Sequence, residues 1–250
     1  GGIHGRTLRL TILDPGPDRA SAEAALDQLI EQQQVFALIA PLVPALDSEL
    51  AARLESAGVP LIGPLSLRGT APGSRQIFEP LPGLREQLLA LADYATHSLP
   101  VLDGPTLIAY PDDPGQRLAA QNLGDYLQKN AWQDVRLQPY DPTHDELPLG
   151  PRSLFYLGDS VGFSRLAKRL QNTGQAPYLF AASNQVAGDL LQVPSEFSRR
   201  VFLAYPFVPS DWTQAGRTAL AQLREHQGLG GEHAVLQVGA FSSMLLFSEG

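Results

Sequence analysis

The chain has 250 residues, 44% of them hydrophobic and 18% charged, the balance of a globular protein with room for two α/β lobes. A net charge of −8, from 18 basic and 26 acidic residues with no stretch dense in Lys and Arg, disfavours nucleic acid and anionic membranes as partners. There is no cysteine, which excludes disulfides, thiolate nucleophiles and cysteine metal sites, and no apolar run approaching the ~20 residues of a membrane-spanning helix.

The opening Gly1-Gly2-Ile3-His4-Gly5-Arg6 is not a signal peptide. Thr7 to Leu13 alternates apolar and polar residues, which predicts a half-buried strand. A turn cluster at Asp14-Pro15-Gly16-Pro17-Asp18 follows, then an amphipathic helix over 21–33 with Ser21 as its N-cap. Val35 to Ile39 is a short continuous apolar run of the buried parallel-strand type. A helix over 47–57 ends at Gly58, the residue type that accepts a left-handed C′ conformation, and Val59 to Ile62 is a further short strand. Leu84 to Tyr94 predicts a third helix.

The Pro100 to Pro105 stretch reads as a linker, after which the alternation restarts. Strands are expected at 106–110, 134–138, 153–157, 178–182 and 201–204, with helices at 116–129 and 162–172. Leu203 to Pro209 is a second linker-like stretch. The remainder is helical, at 213–226 and 233–247, around the Gly-rich Gly228 to Gly231. Strand–helix alternation with short connections implies parallel sheets with right-handed crossovers. Two such runs predict an α/β protein of two doubly wound parallel-sheet lobes joined by a hinge. Lobe 1 is assigned to 1–101 plus 208–250, and lobe 2 to 102–207. In open parallel sheets a ligand binds beyond the carboxyl ends of the strands, so the loops after Ile39, Ile62, Tyr110, Leu157 and Ala182 are of interest.

Enzyme signatures are missing from the sequence. The histidines at 4, 97, 144, 226 and 233 have no metal-ligand spacing, and no nucleophile elbow or P-loop occurs. The Gly-rich Gly228 to Gly231 follows a helix, whereas a phosphate cradle follows a strand. Asp112-Asp113 lies in a turn with no evident acid–base partner. No cofactor or metal is expected.

Several segments, taken together, carry a resemblance. GGIHGR with its following strand and Asp-rich turn, VFALIAPLVPAL with AGVPLIGPLS, YPDDPGQRLAAQNLGDYL, and SLFYLGDSVGFSRLAKRLQNTGQAPYLFAAS occur in the order seen in branched-chain-amino-acid-type receptors. The chain therefore resembles the type I periplasmic-binding-protein family, the substrate-binding proteins of ABC transporters. The resemblance implies a periplasmic or extracytoplasmic binder that closes two lobes on a small molecule for delivery to an ABC permease or a sensor partner. Family members usually begin with one more strand and helix and continue further, so the fold is expected to be truncated at both ends.

The resemblance also implies ligand-binding positions, and there this sequence departs from the pattern. The family's carboxylate-binding Ser aligns best with Pro44, beside Ala45, and proline offers neither a hydroxyl nor an amide donor. The next loop is Leu65-Ser66-Leu67, with only Ser66 polar. After the first strand of lobe 2, where a Tyr is usual, stands Asp112-Asp113-Pro114. The acidic partner of a ligand ammonium falls near the uncharged Ser183. A zwitterion buried without that carboxylate would lose several kcal/mol, about 1–3 per unpaired group and more for charged ones, so a standard α-amino acid is not expected as ligand. Asp159, Ser160, Ser183 and Asn184 follow strands and serve either as cleft hydrogen-bonding groups or as helix caps. Tyr110 and Tyr205, near the lobe crossings, complete the candidate contacts, with ordinary packing as their other reading. A sensor or protein-interaction domain with a degenerate cleft is the alternative function; an enzyme is the third.

Overall fold

The structure is a computed structural model that describes residues 5, 7–14, 16, 19–41, 43, 48–65, 74–101, 103–143, 150–208, 212–230 and 234–249. The chain divides into two compact units. The first comprises Gly1–Ser66, Ala71–Leu81 and Pro209–Gly250; the second comprises Leu67–Thr70 and Pro82–Val208.

In chain order the first unit supplies α1 (Arg19–Asp27), which runs into a π turn at Gln28–Gln32, then β1 (Leu38–Ile39), α2 (Ser48–Ala57), β2 (Leu61–Ile62) and β3 (Ile77–Phe78). The second unit follows with α3 (Leu84–Ser98), β4 (Thr106–Tyr110), α4 (Pro114–Lys129), β5 (Val135–Pro139), β6 (Ser153–Tyr156), α5 (Ser160–Asn172), β7 (Tyr178–Ala182), α6 (Ser183–Val186) and β8 (Val201–Ala204). The chain then returns to the first unit with α7 (Gln214–Gln227) and α8 (Ala234–Glu249).

The second unit is built on a five-stranded parallel sheet in the order β5-β4-β6-β7-β8. Helices cover both faces, so both alternations of side chain along each central strand must be apolar, and β4 is buried at every position. Ile108, Tyr110, Phe155, Leu157 and Phe180 point to the face packed by Leu88 and Leu91 of α3 and Leu123 and Leu127 of α4. Leu107, Ala109, Leu154, Tyr156 and Leu179 point to the other face, against Phe163, Leu166 and Leu170 of α5. Phe155 stacks on Phe180 at 4.6 Å and meets Trp132 edge-on at 5.7 Å. Each fully buried side chain of this kind contributes about 1.5–3 kcal/mol.

The first unit carries a three-stranded parallel sheet, β1-β2-β3, of two residues per strand. Leu38, Leu54, Val59 and Leu61 form its small core. β3 is too short to have been foreseen from periodicity.

Two expectations are corrected here. Residues 7–14 belong to no strand: Leu10 is 78% and Ile12 81% exposed. Period-two alternation creates an apolar face, but a strand also needs a neighbour to pair its backbone, and among the described residues no strand pairs with this segment. The helix at 84–98, placed in lobe 1 by the Pro100–Pro105 break, instead packs on α4, β7 and β8 of the second unit. A proline-rich connection marks a change of direction, while the apolar stripe of Leu84, Leu88, Leu91 and Ala95 decides where the helix is buried.

Candidate functional site

Renumbered from its own first strand, the second unit's sheet runs 2-1-3-4-5, and the order reverses between β4 and β6. At such a reversal the two following helices leave on opposite faces and open a crevice at the carboxyl ends of the strands. The turns Pro111–Asp113 and Leu157–Asp159 border it, and Ser183–Gln185 follow β7 at the same edge.

Each turn is fixed by an aspartate. Asp113 caps α4, accepting hydrogen bonds from the amides of Gly115 at 3.0 Å and Gln116 at 3.1 Å, with Pro114 in the first helical turn. Asp159 caps α5, accepting from the Gly162 amide at 2.7 Å. Asp112 is exposed and pairs with Arg117, whose guanidinium is held above its ordinary pKa chiefly by that hydrogen bond. Asp112, Asp113 and Asp159 thus each carry a local partner.

The groups after β7 are uncharged. Ser183 is 2% exposed, and its Oγ has no hydrogen-bond partner among the described residues. The Asn184 Oδ1 is equally buried and unpartnered, although the residue as a whole is half-buried. An unmet buried polar group of this kind costs about 1–3 kcal/mol, which a ligand hydrogen bond would recover. Gln185 donates from Nε2 to the Leu157 carbonyl at 3.1 Å, tying the start of α6 to the end of β6. Ser160 Oγ donates to Asp189 Oδ2 at 2.9 Å.

Below the Leu157–Asp159 turn lies Tyr156, also 2% exposed. Burial, then the carboxylate of Asp159, raises its phenol above the ordinary tyrosine range. Its hydroxyl occupies the space that a Cβ on Gly158 or on Gly162 would need, so glycine at both positions lets the turn close over the ring.

The candidate positions are therefore distributed unevenly. Asp112, Asp159, Ser160, Ser183 and Asn184 share the carboxyl edge of one sheet. Tyr205 follows β8 there and is 56% exposed. Tyr110 ends β4 but is buried in the core beneath α3 and α4. Leu65, in the first unit, forms a single bridge, its amide donating to the Pro41 carbonyl at 2.9 Å. Pro44, Ala45, Ser66 and Leu67 lie outside the described residues. Gln185 and Asp189 were not expected: their bonds reach back 28 and 29 residues and leave no local pattern in the sequence. Asp113 was expected only as part of a turn, and its role as the cap of α4 was not foreseen.

Among the described residues no group of three His, Cys, Asp or Glu side chains is placed to hold a metal, and no helix is long and apolar enough to cross a membrane.

The comparisons with known proteins follow this geometry. A family model described as "Periplasmic binding protein" matches residues 1–250. Among solved structures, a leucine binding protein of Thermotoga maritima superimposes with a TM-score of 0.74 at 12% identity, over 99% of this chain and 72% of its own. An ABC transporter substrate-binding protein of Desulfitobacterium hafniense in complex with Leu gives 0.70 at 16% identity, over 100% and 74%. A solute binding protein of an ABC transporter from Rhodopseudomonas palustris HaA2, in complex with p-hydroxybenzoic acid, gives 0.65 at 15% identity, over 93% and 66%. No curated protein matches the chain.

Proposed function

Because this chain belongs to the periplasmic binding protein family, we propose that it is an extracytoplasmic solute-binding protein that captures a small molecule for an ABC transporter, in the periplasm and without catalysis. The carboxyl edge of the second unit takes part in holding the solute through Ser183 and Asn184, with Tyr205 and Ser160 beside them. The observation that carries this reading is the pair of buried, unpartnered oxygens at the topological crevice of a parallel sheet.

The solute class follows from the charges of that edge. Each aspartate of that edge already has a local partner, Arg117 for Asp112, the α4 and α5 N-termini for Asp113 and Asp159, Thr143 for Asp141 and Ser160 for Asp189, and the groups that directly follow β7, Ser183 and Asn184, are uncharged. The proposed solute is therefore not a standard α-amino acid but a neutral hydrogen-bonding molecule such as an amide or alcohol. Its donor groups meet the Ser183 Oγ and Asn184 Oδ1.

A thermal-shift screen across amides, alcohols, aromatic and aliphatic carboxylates and amino acids tests the reading. A bound solute at a hundredfold excess over its Kd stabilises the protein by about 2.7 kcal/mol. The expected result is such a shift with an uncharged class, abolished in Ser183→Ala and Asn184→Ala. A shift with an α-amino acid that survives both substitutions would remove Ser183 and Asn184 from the site. Flat curves from folded protein with every class would favour a protein-interaction domain instead.

A further inference from the structure

A second feature lies at the opposite, amino-terminal edge of the same sheet. β6, β7 and β8 are parallel neighbours in which Ser153 pairs with Tyr178 and Leu179 with Val201. Register therefore brings Arg152, Tyr178 and Arg200 together, each at or just before the start of its strand. The backbone there is pinned: the Tyr178 amide donates to the Arg152 carbonyl at 3.0 Å, and the Leu179 amide to the Arg200 carbonyl at 2.7 Å.

The two guanidiniums flank one ring, 6.0 Å and 5.1 Å from the Tyr178 centroid. Both are oriented by backbone carbonyls. Arg152 donates from Nε at 3.1 Å and Nη2 at 3.0 Å to the Pro100 oxygen, and Arg200 from Nη1 at 2.7 Å to the Ala176 oxygen. A carbonyl fixes a guanidinium without neutralising it. Among the described residues neither arginine has an ion-pair partner, in contrast to Arg53, Arg85, Arg117 and Arg136. Glu196, close to Arg200 in the chain, instead accepts from Gln171 Nε2 at 2.6 Å. Arg152 is exposed and Arg200 half-buried, and Tyr178 is half-buried between them.

We propose that Arg152, Tyr178 and Arg200 form a docking surface for a carboxylate-bearing segment of a partner protein. Two pre-oriented guanidiniums on an aromatic face are a match for carboxylates, which arginine binds through paired N–H donors. Tyr and Arg are also the residue types that dominate interface energetics. Charge complementarity selects the class of partner. With a net charge of −8 the protein repels a dense polyanion or an anionic lipid surface, which needs many cationic contacts, whereas two cations suffice for one or two carboxylates within a Debye length of ~8–10 Å. The strands between the two edges rise roughly 3.3 Å per residue, so this surface stands well away from the solute-binding edge and is independent of it.

The experiment uses the full chain and a labelled nonapeptide with two glutamates among neutral residues, with binding read by fluorescence anisotropy at low salt and again along a salt titration. The expected result is binding that weakens with salt and falls about tenfold or more in the R152Q/R200Q double variant. Gln retains an Nε2 donor for the carbonyls at 100 and 176, so the loss reports charge. Arg136→Gln, whose arginine is already paired with Asp134, should leave the affinity unchanged. Amide chemical-shift mapping on the unaltered protein, expected to centre on 152, 178 and 200, decides the matter even if the double variant does not fold. Equal affinity in R152Q/R200Q, shifts centred elsewhere, or no peptide binding would each overturn the proposal. Binding to phosphatidylglycerol vesicles but not to the peptide would also overturn it, in favour of a lipid surface.

Discussion

The two units carry parallel sheets of very different depth. In the second, five strands of four or five residues put Phe155, Phe180, Leu154 and Ile108 entirely out of solvent, with helices on both faces. In the first, three strands of two residues cover a core of four buried side chains, while Leu10, Ile12, Phe36 and part of α8 stay exposed. α8 is apolar on nearly every side, from Val235 and Leu236 through Val238 to Leu245 and Phe247, yet Leu236, Met244, Leu245 and Leu246 are each about half exposed. Stability should follow buried apolar area, so the second unit ought to hold its fold on its own packing and the first to be the weaker.

Substitutions can break or sharpen this contrast, and the chain supplies a reporter for each unit: Trp132 in the second and Trp212 in the first. The largest effect is expected from Phe155→Ala, which removes a ring touching both Phe180 and Trp132 and should cost about 3–5 kcal/mol in the transition followed by Trp132 fluorescence. A loss under about 1 kcal/mol would mean that this core is not what holds the second unit. Next come the caps. Asp159→Ala in the second unit and Thr213→Ala in the first, where Thr213 Oγ1 accepts from the Gly216 amide at 3.1 Å, should each cost about 1 kcal/mol. In urea titrations of single-tryptophan variants, Asp159→Ala should move the Trp132 transition and Thr213→Ala the Trp212 transition; a common shift of both would show that the two units unfold together. The smallest effect is expected from Leu10→Ser, which should change stability by no more than about 0.5 kcal/mol, because the side chain is already in water. A fall of about 2 kcal/mol in the free energy of unfolding would show that something covers this segment in solution.

The same contrast explains what the sequence disclosed. In the second unit β4 and β7 were legible to the residue, because burial on both faces demands an unbroken apolar run and the turns on either side supply clear punctuation. The expected caps at 159 and the Gly58 stop were legible because capping is a local rule. The segment 7–13 misled for the converse reason: alternation reports a face, and pairing is a long-range property. α3 was assigned to the wrong unit because the proline-rich connection after it is visible in the sequence and the partners of its apolar stripe are not. At the carboxyl edge, types and positions were readable one at a time, but which oxygens would be left without partners was not. That depends on Gln185 reaching Leu157 and Ser160 reaching Asp189, choices made only when distant strands are laid side by side.

The ring of Tyr156 beneath Gly158 and Gly162 has a consequence for anyone who would retarget this protein by directed evolution. A saturation library over the edge should return glycine at 158 and 162 regardless of the solute selected for, since any larger residue must displace a buried phenol. Diversity should collect at 160, 184 and 205, whose side chains can change without touching the floor. The glycines set the depth of the crevice, and selection is left to furnish it.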